Sequence, residues 1–455
     1  MKKTSLKELA SHLSVDVVSD RFVSGVSVDS RLTKSGDLFF ALPGAQVDGH
    51  AFLQHAAENG AVAAVVHVNY VGLDYGMQLL RSNDVLQTLQ QLAHTYLKQS
   101  KAKIVAVTGS LGKTSTKNFI YQLLKAKFRV SASTGNSNSQ IGLPLAILND
   151  LSLDDEVSIL EMGMTDYGQI KRLVEIAPPD IAVVTMVALV HAGYFPSLEG
   201  IADAKAEIFS HPKTKLGLYH LESDINGALS SVGSCKKMTF STTDRTADFF
   251  LDGNEVEMLI SYPKAINAGG SNEKVNFVTA AIPLPGAHSR HNFLAAAAVA
   301  IHLGMEWSEI TAIIPTLSLP ERRLQRVEKF GATFINDSYN AAEMSIKAAL
   351  DCLPLPKPGG KRIAVIGEIV ELGKFSKGCH RAVGEYALDR VDMMLCYGQE
   401  CKHISECWQE AGRPVVWAAE RSGVVEALRT HLAPGDVVLL KGSRAKGVWK
   451  VLEEL

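Results

Sequence analysis

The stretch from residue 104 to residue 116, I-V-A-V-T-G-S-L-G-K-T-S-T, constrains this chain more than any other. Its opening run, Ile104-Val105-Ala106-Val107-Thr108, is apolar and β-branched, the pattern of a buried parallel strand. A turn framed by Gly109 and Gly112 follows, and residues 117–125 read as a helix. Strand, tight turn and helix in that order call for a parallel sheet with helices packed on it. The same order suits a nucleoside triphosphate. Glycines let backbone N–H groups close around phosphate oxygens, Lys113 adds a point charge, and the Thr114 hydroxyl can sit on Mg²⁺. The spacing G-x-x-G-K-T is two residues shorter than the common G-x-x-x-x-G-K-[ST], so the flanking strand and helix give the motif its meaning. Thr108, Gly109, Ser110, Leu111, Gly112, Lys113, Thr114 and Ser115 are the candidate ATP contacts.

Length and charge narrow the class. With 455 residues, the chain has room for two to four domains, each with its own core. Its 46 basic and 48 acidic residues leave a net charge of −2, which calls for neither nucleic acid nor a membrane surface. The first ten residues carry charges among apolar positions at helical spacing, an amphipathic helix rather than a signal peptide. The longest apolar run, residues 293–301, is too short to span a bilayer. Six cysteines lack the C-x-x-C pairs of a zinc site and read as free thiols in a reducing cytosol.

Three blocks follow from the pattern of elements. Residues 1–98 hold strand-like runs at 26–29, 37–41 and 62–67. Residues 99–313 alternate strands (103–108, 157–161, 181–185, 216–219) with helices, predicting a doubly wound, mostly parallel α/β sheet. Within this block, residues 236–284 read as an antiparallel excursion around a Gly-Gly-Ser loop. Residues 314–455 restart the alternation, with strands at 363–367, 393–398, 415–418 and 437–441, a smaller Rossmann-like unit. The Pro-bearing segment 315–320 is the expected hinge.

Several residues could serve a triphosphate site. Glu161 ends an apolar strand, where open α/β sheets place ligands, and a carboxylate there can hold Mg²⁺. His191 follows the next strand and could serve a metal or a phosphate. Lys205 lies among small residues on a helix and, by itself, reads as solvated. Asn136 and Asn138 sit in a loop rich in amides and hydroxyls, fit either to touch substrate or to cap turns.

Taken as a set, these strings resemble the Mur ligase family of ATP-dependent amide-bond-forming enzymes, over essentially the whole chain. Val28-Asp29-Ser30-Arg31, the run Gly36-Asp37-Leu38-Phe39-Phe40-Ala41-Leu42-Pro43-Gly44 and Asp48-Gly49-His50 are similar to the family's uridine-nucleotide domain. The 108–114 turn resembles its shortened P-loop. Asp337-Ser338-Tyr339-Asn340-Ala341, Gly367-Glu368-Ile369-Val370-Glu371-Leu372-Gly373 and Lys441-Gly442-Ser443-Arg444 resemble strings of the branch that adds a dipeptide. The D-N-P-R type motif of the branch that adds a single amino acid does not occur. A folate-type ligase shares the core but is disfavoured by D-S-R and D-G-H. A non-catalytic nucleotide-binding relative is the remaining alternative.

The resemblance implies ATP and Mg²⁺ as cofactors, and UDP-N-acetylmuramoyl-tripeptide and D-alanyl-D-alanine as substrates of a cytoplasmic, monomeric enzyme. Lys113 and Thr114 would hold phosphates and Mg²⁺, and Glu161 and His191 match metal ligands. Lys205 matches a lysine that CO₂ converts to a carbamate, so that it too can help bind the metal. Asn292 matches an adenine contact, and Arg323 and Asp337 match groups reaching the phosphates and ribose. Ser30 and Arg31 would lie on the uridine nucleotide, and Asn136, Asn138, Tyr339 and Asn340 on substrate. Leu111, Met186 and Ser289 each stand where relatives commonly carry Asn.

Overall fold

Three large sheets succeed one another along the chain, each built from a separate stretch of sequence. They belong to a computed structural model that describes residues 3–12, 21–44, 47–189, 194–195, 197–253, 258–263, 274–282 and 284–455. The first sheet sets Gly25–Ser27, Asp37–Phe40, Ala63–His67 and Gln78–Ser82 side by side, all parallel. Phe39 and Phe40 point to opposite faces of their strand and both are fully buried, so this sheet is covered on two sides. The last of the four strands was not among the runs read from sequence. The expected N-terminal helix is present as Leu6–His12.

The helix Val85–Gln99 joins the first unit to the second. Asp84 caps it by accepting from the Gln87 N–H at 2.8 Å, and Val85, Leu89, Leu92, Ala93 and Tyr96 form its buried stripe. That stripe is part of one continuous core holding Phe40, Val65 and Leu80 of the first sheet together with Ile104, Ala106, Leu143 and Ile147 of the middle unit. Asn149 adds a polar clasp, its side chain accepting from Val26 N at 3.0 Å and donating to Val26 O at 2.9 Å.

The middle sheet has nine strands. Lys103–Thr108 lies between Val157–Glu161 on one side and Ile181–Val184 on the other, all parallel. The chain crosses from one side of Lys103–Thr108 to the other here, so a crevice opens beyond the carboxyl ends of these strands. The expected antiparallel excursion within 236–284 is present but narrower than those bounds, because Lys236–Ser241 and Phe249–Gly253 extend the sheet in parallel. Only Met258–Pro263 and Lys274–Ala280 run antiparallel, at its edge. Residues 269–271, the Gly-Gly-Ser loop, lie outside the described residues.

The third sheet places its strands in the order Gln325–Lys329, Ala332–Asn336, Val437–Lys441, Arg362–Gly367, Met393–Tyr397 and Val415–Ala418. Only the first pair is antiparallel. The four later strands match the expected ones, while the leading hairpin was not read from sequence. Its core is separate from that of the first two units. Residues 314–316 form a single short helical turn, and the Ser318 carbonyl after it accepts from Asn118 at 2.9 Å and Gln122 at 2.8 Å on the middle unit.

Candidate active site

The P-loop helix begins at Lys113 itself, four residues earlier than its sequence suggested, and runs to Leu124. Gly112 precedes it at φ 84°, a left-handed conformation in which a β-carbon would strike Asn292 Oδ1. The loop is anchored to the neighbouring strand's exit. Ser110 N donates to Met186 O at 2.6 Å, and Ser110 Oγ donates to Ala188 O at 2.8 Å while accepting from Ala188 N at 3.0 Å. The Thr185 hydroxyl donates to the Leu111 carbonyl. Leu111 therefore takes part through its backbone, and Ser110 spends its hydroxyl holding the loop's shape.

Beyond the loop, a cleft of about 420 Å³ opens between the middle and last units. Gly109 to Thr114, Asn136, Asn138, Glu161, Lys205, Arg323, Tyr339 and Asn340 all line it. Thr108 and Ser115 lie in the strand and helix flanking the loop. Glu161 is almost fully buried; it accepts from Thr114 Oγ1 at 3.0 Å and from Asn138 Nδ2 at 2.7 Å. The Lys113 ammonium donates to the Gly109 carbonyl at 2.7 Å. Burial lowers its pKa, against the opposing pull of Glu161. Lys205 is 4% exposed on the helix Leu198–Ala206, and burial followed by the charge of Lys113 lowers its pKa well below the ordinary value. The solvated reading of Lys205 is thereby overturned.

A second, smaller cavity of about 130 Å³ adjoins the loop. Gly112, Ser115, Met186, Ser289, His291 and Asn292 line it from the middle unit, and Leu319, Arg323, Asp337, Met344 and Lys441 from the last. Asp337 is buried, pairs with Lys441 at 2.5 Å and accepts from Leu324 N at 3.1 Å. Arg323 lines both cavities; its buried Nε has no partner, and its guanidinium lies 4.4 Å from the Tyr339 ring.

Not every candidate gathers here. Ser30 and Arg31 stay on the first unit, Ser30 hydrogen-bonded to His55 at 2.9 Å and Arg31 paired to Asp29. His191 lies outside the described residues. Sequence reading missed Lys117, whose buried ammonium lies 3.6 Å from Glu161 and donates to the carbonyls of Ser133 and Gly135 at 2.6 and 2.8 Å. The signal was available, because Lys117 is four residues after Lys113 and so shares its helix face.

The donors present suit a triphosphate with a hard cation. With Ser110 N spent on Met186 O, the two glycines let the amides that follow it face a ligand. Arg323 has a buried N–H without a partner among the described residues, and Glu161 with the Thr114 hydroxyl supplies hard oxygen ligands. Among the described residues no trio of His, Cys, Asp or Glu forms a closed cage. That fits Mg²⁺, which takes one or two protein oxygens and completes its shell with phosphate and water.

Fold and loop together define a P-loop nucleotide-dependent enzyme, with the candidate site in the cleft between its middle and last units. Profiles described as "Mur ligase family, catalytic domain", "Mur ligase middle domain" and "Mur ligase, glutamate ligase domain" match residues 22–109, 107–300 and 322–444. The chain belongs to the Mur ligase family. A UDP-N-acetylmuramoyl-tripeptide–D-alanyl-D-alanine ligase from Bacillus subtilis is 29% identical over 100% of this chain and 99% of its own length. The ligase of that name from Escherichia coli is 31% identical over 96% and 94%. Among solved structures, MurF from Acinetobacter baumannii superposes with a TM-score of 0.84 at 23% identity, covering 100% of this chain and 99% of that one. MurF from Thermotoga maritima in complex with ADP does so at 0.78 and 28%, covering 96% and 98%.

Proposed function

We propose that this protein joins D-alanyl-D-alanine to UDP-N-acetylmuramoyl-tripeptide with consumption of ATP, acting as a cytoplasmic monomer in peptidoglycan precursor synthesis. The observation that carries this reading is the meeting of Lys113, Thr114, Glu161, Lys205 and Arg323 in one cleft. Full-length similarity to ligases of that name supplies the substrates. Among the described residues no helix is long and apolar enough to cross a membrane.

The reaction divides into two steps. The tripeptide's terminal carboxylate attacks the γ-phosphate, giving an acyl phosphate and ADP. The dipeptide amine then attacks the activated carbonyl, and phosphate leaves. Two anions must meet in the first step, so charge neutralisation dominates its barrier. Backbone N–H groups of residues 111–114 and the Lys113 ammonium hold the phosphates, and Arg323 brings its guanidinium from the last unit. Preorganised donors of this kind are worth about 3 kcal/mol each. Thr114, Glu161 and His191 would hold Mg²⁺, which would supply positive charge against the phosphate oxygens. Lys205, whose pKa burial lowers, is favoured toward the free amine that would take up CO₂ and present a carboxylate to the same cation. Asn292 faces the smaller cavity with Met186 and Ser289, as an adenine contact requires, while Asp337 lies on the ribose side. Asn136, Asn138, Tyr339 and Asn340 line the peptide side, and Ser30 and Arg31 take the uridine nucleotide. Unit boundaries fall near 98/99 and 313/314.

The deciding experiment follows phosphate release with ATP, the tripeptide nucleotide and D-alanyl-D-alanine. Release that requires the dipeptide supports the proposal. Release requiring instead the shorter nucleotide precursor with L-lysine or diaminopimelate reassigns the acceptor, and none in any mixture leaves a nucleotide-binding scaffold.

A further inference from the structure

Four cationic side chains line the main cleft: Lys113, Lys205, Arg323 and Arg444. The first three have work at the phosphate end. Lys113 is drawn in against the loop, Lys205 is buried with its pKa lowered, and Arg323 also borders the smaller cavity. Arg444 differs from them all. It follows the strand Val437–Lys441, is exposed, and does not reach the smaller cavity. It makes no ion pair among the described residues. One guanidinium N–H donates to Asn136 Oδ1 at 2.6 Å across the cleft, and its guanidinium carbon lies 5.4 Å from the Tyr339 ring, the ring that Arg323 also approaches.

We infer that Arg444 receives the free carboxylate of the acceptor dipeptide, and so sets the chemical class of the acceptor. This rests on the function proposed above. The acceptor carries its nucleophilic amine at one end and an anionic carboxylate at the other, and the carboxylate needs a partner once water is excluded. A neutral amide oxygen holds the guanidinium only weakly; a carboxylate replaces it with a charge-assisted, bidentate pair. Asn136, released, can turn its amide N–H toward the same group. An extended dipeptide spans at most about 7 Å. Anchored by its tail at Arg444, a dipeptide carries its amine about 3.5 Å further into the cleft than a single amino acid does.

The test is steady-state phosphate release at saturating ATP and tripeptide nucleotide, varying either D-alanyl-D-alanine or its C-terminal carboxamide. With the unaltered protein, the carboxamide should show a KM about 30-fold above that of the free acid, the factor expected of one charged hydrogen-bonded pair. Arg444→Ala should raise the KM for the free acid by a similar factor and bring no further rise for the carboxamide. Arg444→Lys should fall between. Equal use of acid and carboxamide by the unaltered protein overturns the inference without needing any variant. So does an Arg444→Ala effect falling on the KM for ATP or for the tripeptide nucleotide, which carries carboxylates of its own. Absence of dipeptide-dependent release from the unaltered protein sinks the underlying function as well, which tells the two failures apart.

Discussion

Lys113 and Lys205 share one cleft yet are asked for opposite things. Lys113 must be charged to meet phosphate, and it already has Glu161 as countercharge nearby. Lys113→Ala should abolish ADP release while leaving the circular dichroism spectrum and thermal unfolding close to those of the parent. Lys205 has burial and a like charge against it, so its amine stays neutral at pH values where an ordinary lysine is protonated. Protein depleted of CO₂ should lose most activity and recover it with bicarbonate, and acidification should oppose recovery because protonation removes the nucleophilic lone pair. A bicarbonate-insensitive rate would remove the carbamate assignment. His291 offers a stability test. Burial, then the neighbouring His220, lowers its pKa to about 3, against 6.5 ordinarily, and Thr242 holds its Nε2 at 2.6 Å. The unfolded chain thus takes up a proton below pH 6.5 that the native state refuses. Stability contributed by the neutral ring is complete above that value and falls as pH drops toward 3, by about 1.4 kcal/mol per unit. Replacing His291 with Gln should flatten the acid limb of a urea-melt series over that window.

The short elements beside the site matter more than the long ones. Gly112 ends the loop and starts the P-loop helix, so Gly112→Ala places a side chain in left-handed backbone at a cost of about 1–2 kcal/mol and pushes Asn292 aside. Calorimetry should show ATP affinity reduced at least tenfold, with a lower melting temperature. This element was legible in sequence because glycine spacing, a β-branched run and a lysine all describe local backbone. The leading hairpin of the third sheet was not, since Gln325–Lys329 is polar and mostly exposed and shows no clean alternation. The parallel run of Lys236–Ser241 and Phe249–Gly253 was missed for a related reason: strand direction depends on neighbours far away in sequence. In the site, Glu161 and Lys113 could be read from strand ends and turns. The depressed pKa of Lys205 could not, because it comes from packing, whereas Lys117 was open to reading from its four-residue spacing to Lys113.

At the scale of the molecule, the first and middle units are joined by a common apolar core and by the Asn149 clasp on Val26. Asn149→Ala leaves two backbone groups of Val26 unpartnered at that joint and should destabilise the protein by about 1–3 kcal/mol, read as a shift of the urea midpoint. Dipeptide-independent steps should follow that loss only insofar as the fold itself does. Most of the last unit's apolar side chains form cores of their own, and it meets the middle one through Asn118 and Gln122 on Ser318, through Arg444 on Asn136 and through Leu319, which packs against both cores. The first joint is thus a weld and the second a latch: one is sealed by a shared oily seam, the other is fastened by a few polar side chains and a single leucine.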